Sequence, residues 1–275
     1  MISIIITYYN SSKFIKRALY YAHLQKDVEK EIIVVDDGSD VNNKEALVQY
    51  DHLIDMLITQ KNRGQAAARN VGISKATGEF ILIWDVDDYF EAEFSREALK
   101  ILQKKTNVKL VTSYALRNSD GKEGKLIKPR GGGYQNFLFE NAALGSVMFR
   151  KIDWEQVEGY DDQIKVGYED WDFYLRLLYP KGQAFIIPEQ LFTYHRHAES
   201  TTSLILRERS SFAKRKYIYT KNKTIYQEHY TELMDDLFYR LEREERERYK
   251  NLERIEYKLG YRILKPLRKL KRLFK

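Results

Sequence analysis

The sequence predicts an α/β fold: a mixed, mostly parallel sheet flanked by helices, followed by a C-terminal helical extension. Three observations carry that expectation. Short apolar runs alternate with amphipathic stretches over the first hundred residues, the pattern left when crossover helices pack on a largely parallel sheet. Two of those runs stop abruptly at acids, one at Asp36 and Asp37, the other at Asp85, Asp87 and Asp88. From Leu204 onward strand signals cease, and Leu237 to Arg254 is dense in Glu and Arg, as in a solvated helix with charge pairs at a spacing of four.

Taken in order, Ile2 to Ile6 is the first strand, and Asn10 or Ser11 can cap a helix with Phe14, Ile15, Ala18, Leu19 and Ala22 on one side. Glu31 to Val35 is the second strand. A helix from about Asn43 to Tyr50, a strand near Ile54 to Thr59 and a helix from Gln65 to Lys75 follow. Phe80 to Trp84 is nearly continuous apolar, as suits a strand covered on both faces. The helix Phe94 to Lys104 and the strand Lys109 to Tyr114 complete this half. Beyond it the alternation loosens: Asn118 to Gly124 has turn chemistry, Arg130 to Gly133 is glycine-rich, and Gly145 to Arg150 reads as a strand. Tyr168 to Leu178 reads as a helix with acids in its first turn, where the helix dipole favours them. Ala184 to Ile187 and Leu191 to Tyr194 read as short strands ending at His195, Arg196 and His197.

Composition removes whole classes of function. With 43% hydrophobic and 32% charged residues in a chain of 275, the protein can bury a core and is not disordered. Without cysteine there are no disulfides, thiolate metal sites or cysteine nucleophiles, so any metal sits on oxygen or imidazole. No apolar run is long enough to span a bilayer, and Ile2 to Ile6 lacks a preceding basic region, so it reads as a strand rather than a leader. A cytoplasmic location is expected. The formal charge of +7 is concentrated: Lys258, Arg262, Lys265, Arg268, Lys269, Lys271, Arg272 and Lys275 follow the last acid, and without them the remainder carries −1. That localisation argues against a basic groove for nucleic acid. Neither a GxGxxG fingerprint nor a GxxxxGK loop is present, which disfavours nicotinamide enzymes and P-loop ATPases.

In open α/β sheets ligands bind beyond the carboxyl ends of the strands, so Thr7, Tyr9, Asp37, Asp85 and Asp87 are expected at one crevice. Packed carboxylates need a cation or a donor, and hard oxygen ligands suit Mg2+ or Mn2+. The bland alternative is that these acids only cap turns after their strands.

The strings SIIITYYN, EIIVVDDGSD, NRGQAAARNVGISKATGEFILIWDVDD, GYEDWDFYLRL and YHRHAESTTS resemble, in order and spacing, the motifs of the family 2 glycosyltransferases, over roughly residues 1–205. The resemblance implies the GT-A fold and an inverting hexosyl- or N-acetylhexosaminyltransferase that uses a nucleotide-sugar donor. It implies that Thr7, Tyr9 and Asp37 hold the nucleotide base, with uridine the family tendency, that Asp85 contacts the ribose side, and that Arg69 lines the donor pocket. Asp87 would bind a Mn2+ or Mg2+ ion spanning the diphosphate, and His197 would complete the metal site or touch the diphosphate. Asp170 matches the catalytic base; on a helix, Glu169 and Asp172 point elsewhere. His195 departs from the family, which more often has arginine there. Gly145, Ser146 and Arg150 match a segment bordering the acceptor.

Leu259, Ile263, Leu267, Leu270 and Phe274 form one apolar stripe among the basic residues of the tail, with Pro266 expected to divide it into two short segments. Such a helix suits an anionic membrane interface, with packing on the body or on a second subunit of a homo-oligomer as the alternative. The expected organisation is a GT-A domain at 1–205, a helical extension at 206–257 and a basic amphipathic tail at 258–275. The expected acceptor is a lipid-linked or growing surface glycan, reached from the inner face of the cell membrane. Two rivals are a sugar-nucleotide-binding module without catalysis, disfavoured by Asp170 beside a complete DxD, and a nucleotidyltransferase, disfavoured by the lack of a glycine-rich basic loop near the first strand.

Overall fold

The computed structural model describes residues 1–119, 122–196 and 211–273. Among them lies one mixed sheet of ten strands, with a central path β3-β2-β1-β4-β9-β6-β10-β5. Strands β1 (Ile2–Tyr8), β2 (Lys30–Asp36), β3 (Met56–Thr59) and β4 (Phe80–Asp85) pair in parallel. Helices α1 (Ser12–His23), α2 (Val41–Val48) and α3 (Gln65–Lys75) make the crossovers. Every residue of β1 is buried, and so is β4 as far as Trp84. Such strands are covered on both faces, which is why their sequences are continuously apolar rather than alternating. Helix α3 lies so close to the sheet that a Cβ on Gly72 would come within 2.6 Å of Ile5 Cγ2; glycine there is the condition for the approach. Ser11 precedes α1 as expected but does not cap it, and its hydroxyl instead donates to the Tyr9 carbonyl at 2.7 Å.

The other half of the sheet is built differently from the expectation. β5 (Tyr89–Phe90) precedes α4 (Phe94–Lys104); β6 (Val108–Ser119) then runs on past Tyr114 and pairs antiparallel with β7 (Lys122–Ile127). β8 (Gly132–Gly133), β9 (Met148–Arg150), α5 (Lys151–Gln156) and α6 (Glu169–Leu178) follow. β10 is one strand, Gln183–Arg196, with register breaks between Ile187 and Phe192 where two short strands were predicted. It lies parallel to β6, and Phe192 packs on Phe90 with ring centroids 4.5 Å apart, while Phe90 stacks on Phe94 at 3.9 Å. These rings close the core under the end of β4, each contributing on the order of 2–3 kcal/mol of burial.

The chain divides into two units, Met1–Asn222 and Lys223–Lys275, which moves the first boundary from the expected 205. The reason is that α7 (Ser211–Lys221) is tied to the sheet body: Lys221 Nζ reaches Asp172 at 2.7 Å and Asp161 at 2.6 Å, and Asn222 Nδ2 donates to Asp172 at 2.9 Å. The second unit holds α8 (Lys223–Glu228), α9 (Tyr230–Glu253) and α10 (Ile255–Leu273). α10 is helical through Pro266, so neither a break there nor a boundary at 257/258 is seen. Leu259 and Ile263 are exposed on it. No described helix is long and apolar enough to cross a membrane.

Candidate active site

The carboxyl ends of β1, β2 and β4 open into a cleft of about 470 Å³ lined by Thr7, Tyr9, Phe14, Asp37, Asp85 and Asp87 on the strand side. Lys165, Val166 and Gly167, just before α6, line it too. The two acids after β2 diverge. Asp36 turns inward, its Oδ1 accepting from Ser39 N at 2.9 Å. Asp37 faces the cleft, and its carboxylate accepts from Gln60 Nε2 (2.7 Å), Arg63 N (2.8 Å) and Gly64 N (2.8 Å). Gly64, at φ +92°, is what allows its N–H to be presented this way. With three of roughly four acceptor positions taken, Asp37 has one left for a ligand.

At the end of β4, Asp85 Oδ1 accepts from Gln65 Nε2 at 2.7 Å and Arg69 Nη2 at 2.8 Å. Arg69 is 1% exposed and lies behind the cleft wall, where its Nη1 also donates to Glu169 at 3.0 Å. Burial alone would favour its neutral form, but Asp85 and Glu169 hold the guanidinium firmly charged. Arg69 therefore joins the end of β4 to the start of α6, drawing residues 16 and 100 positions away in the chain around one cation.

The three acids of α6 take three directions. Glu169 meets Arg69. Asp172 anchors α7 and pairs with Arg176 Nη2 at 2.9 Å. Asp170 remains partly accessible, with Oδ1 accepting from Trp171 N at 2.7 Å and Oδ2 from Asn141 Nδ2 at 2.8 Å. Burial pushes both Glu169 and Asp170 above the usual carboxylate range, against the opposing pull of Arg69. Across from Asp170 is Asp85: a Cβ placed on Gly145 would be 3.6 Å from Oδ2 of each. The Tyr174 hydroxyl, 2.9 Å from the carbonyls of Leu144 and Gly145, holds that glycine beside α6. Arg150, by contrast, is spent on Val108 O and Asp153, well inside the scaffold.

Asp87 and His195 meet through Arg17 of α1, whose Nη2 donates to the Asp87 carbonyl at 2.6 Å and whose Nη1 is 3.1 Å from His195 Nε2. His195 N donates to Asp88 Oδ1 at 2.7 Å. Burial, with Asp87 and Asp85 nearby, raises Asp88 well above an ordinary aspartate. His197 lies outside the described residues. Of the sequence-derived set, Thr7, Tyr9, Asp37, Asp85 and Asp87 share the cleft, Asp170 faces Asp85 across Gly145, and Arg69 braces both sides. Gln60, Arg17 and Asn141 carry no motif in the sequence, whereas Gln65 lies within the string NRGQAAARN.

Residues 3–151 match the sequence model described as glycosyl transferase family 2, and 133–199 match the N-terminal domain of galactosyltransferase. Glycosyltransferase GlyG of Streptococcus pneumoniae is 31% identical over 159 residues, 56% of this chain and 52% of that one. The chain spans about half or less of the length of such curated relatives. Mannosyltransferase PcManGT from Pyrobaculum calidifontis, in complex with GDP-Man and Mn2+, superposes with a TM-score of 0.62 at 17% identity, covering 80% of this chain and 64% of its own. S. aureus TarS 1-349 in complex with UDP-GlcNAc gives 0.59 at 19% identity, with coverage of 74% and 60%. At such identities the likeness is one of fold. A family match over more than half of the chain, on a sheet whose solved neighbours share the GT-A architecture, makes this chain a member of glycosyl transferase family 2.

Proposed function

We propose that the protein is an inverting, metal-dependent glycosyltransferase that moves a hexosyl or N-acetylhexosaminyl group from a UDP-sugar to a hydroxyl of a lipid-linked or growing surface glycan. The observation that carries this reading is that Asp85, which lines a cleft of about 470 Å³, and Asp170 both lie beside Gly145, each with its Oδ2 3.6 Å from where a Cβ on that glycine would stand. Thr7, Tyr9 and Asp37 would bind the base, with the remaining acceptor position of Asp37 suited to the imide N–H of uracil. Asp170 takes the proton of the acceptor hydroxyl as that oxygen attacks the anomeric carbon. The bond from that carbon to the diphosphate oxygen breaks on the opposite face, and the nucleoside diphosphate leaves with the electron pair. An elevated pKa suits Asp170 to receive a proton, and no covalent intermediate is required.

The residues present fit a hard divalent ion. Asp87 and Asp85 bring oxygen donors to the same cleft, while no group of three His, Cys, Asp or Glu converges among the described residues. It is the hard oxygen chemistry of the two carboxylates that suits Mn2+ or Mg2+. Asp87 would hold the ion, with His197 the other candidate ligand, and the ion would supply charge to offset the departing diphosphate.

Membrane attachment belongs to the same proposal. The basic charges after Glu256 and the exposed Leu259 and Ile263 support a tail that lies on anionic lipid at the cytoplasmic face.

The test of the catalytic assignment is Asp170→Asn, which keeps size and loses the ability to accept a proton. With UDP-GlcNAc and GDP-mannose as donor probes and Mn2+ present, calorimetric binding should persist while nucleotide release falls roughly 10²–10⁴-fold. Undiminished turnover would place the base elsewhere.

A further inference from the structure

Asn141 reaches Asp170 from the segment before β9, and two bonds define its orientation. Its Nδ2 donates to Asp170 Oδ2 at 2.8 Å, and its Oδ1 accepts from Ala143 N at 3.0 Å. Because a backbone N–H occupies the acceptor end of the amide, the end that faces Asp170 is the donor. Trp171 N occupies the other carboxylate oxygen, so each oxygen of Asp170 has one donor and the plane of the carboxylate is set from both sides. Asn141 also forms part of the wall of a second cavity, of about 290 Å³, which shares no lining residue with the nucleotide cleft. Its bond to Asp170 is thus made by a residue that also lines a cavity.

We propose that Asn141 is a positioning residue for Asp170, holding its carboxylate ionised and aligned through the donated Nδ2–H bond. This rests on the reading of Asp170 as the proton acceptor. The groups facing Asp170 divide by sign. Arg69 from α3 favours the ionised form, Asp85 from β4 and the adjacent Glu169 oppose it, and the neutral hydroxyls of Tyr160 and Tyr174 complete the surroundings. Against burial and two neighbouring acids, Arg69 and the donated hydrogen bonds act together to favour the ionised form.

The experiment is a titration followed by carboxyl ¹³C NMR on the full chain labelled at aspartate, with the Asp170 signal assigned by its loss in Asp170→Asn. In Asn141→Ala its midpoint should rise by about one pH unit, the usual scale for losing a hydrogen bond to the charged form. Asn141→Leu is the second variant, of similar size and without a donor, and its midpoint should rise likewise. Asn141→Asp sets a carboxylate against Asp170 and raises the midpoint whatever Asn141 does, so it serves only to show that the signal reports on this neighbour. If Asn141 served only to hold its own loop, the Asp170 midpoint in Asn141→Ala and Asn141→Leu would stay at the wild-type value, and that result overturns the proposal. Should Asn141→Ala fail to fold, Asn141→Leu decides alone. Release of UDP from UDP-GlcNAc by Asp170→Asn, measured in parallel, separates this from the assignment of the base: full release removes the catalytic reading whatever the titrations show.

Discussion

Replacing Arg69 by methionine removes one cation from between two carboxylates while leaving a side chain of similar length. Arg69 is 1% exposed and Glu169 4%, so solvent cannot substitute for the lost bonds at 2.8 and 3.0 Å. Among the described residues, Glu169 Oε2 already has no partner. Removing one member of a buried ionic group costs about 3–5 kcal/mol. For a unit the size of Met1–Asn222, each kcal/mol is worth roughly 2–4 °C, so the melting temperature should fall by roughly 6–20 °C. The loss should depend on pH. Glu169 lies above its unfolded pKa even with Arg69 present, and without that opposing pull it rises further. The native state then keeps a proton that the unfolded chain has released, so the variant loses stability as pH rises from the ordinary carboxylate range, about 4, upward. Calorimetry of wild type and Arg69→Met at pH 5.5 and pH 8 reads both effects. Adding Glu169→Gln should recover part of the loss and flatten the pH dependence. A melting temperature unchanged at both pH values, or a greater loss at pH 5.5, would refute the view that Arg69 braces the site electrostatically.

Three further outcomes are expected. Asp87→Ala should abolish Mn2+-dependent binding of UDP with the far-UV spectrum intact; calorimetry showing equal affinity with metal present would remove Asp87 as the ligand. Gly145→Ala introduces a methyl in ordinary contact with Asp85 and Asp170, 3.6 Å from each, so the fold should tolerate it. The transferred sugar should not: displacing reactants by an ångström costs on the order of 10²-fold, and unaltered nucleotide release would mean that the sugar sits elsewhere. Deleting Lys258 to Lys275 should release the protein from anionic vesicles into the supernatant while UDP binding persists, since each basic residue near such a surface contributes about 1 kcal/mol. Continued sedimentation would assign the apolar stripe to another contact.

The strand ends that line the cleft were legible in the chain because their cause is local. Ile2–Ile6, Glu31–Val35 and Phe80–Trp84 are apolar on both faces, and a strand buried on both faces declares itself wherever it stops, at Tyr8, Asp36 and Asp85. Order and spacing of motifs likewise marked Asp170. The second half was less legible. β6 and β7 continue through Arg117, Asn118 and Lys125, a half-exposed stretch whose polar residues leave no hydrophobic period to read. β10 looked like two strands because its register breaks interrupt the alternation. Helix α7 looked like part of the extension because what ties it down, Asp172 with Lys221 and Asn222, is a polar contact across 49 and 50 positions. What the sequence by itself determined, then, is the fold class and the strand ends that carry the acids. Only the tertiary structure decided that Arg69 is buried between Asp85 and Glu169, that Gly145 lies beside both Asp85 and Asp170, and that Asn141 bonds to Asp170. Those relations join elements through single side-chain bonds, and a bond of that kind leaves no periodicity in the chain; it exists only once the packed core has fixed the distances between its ends.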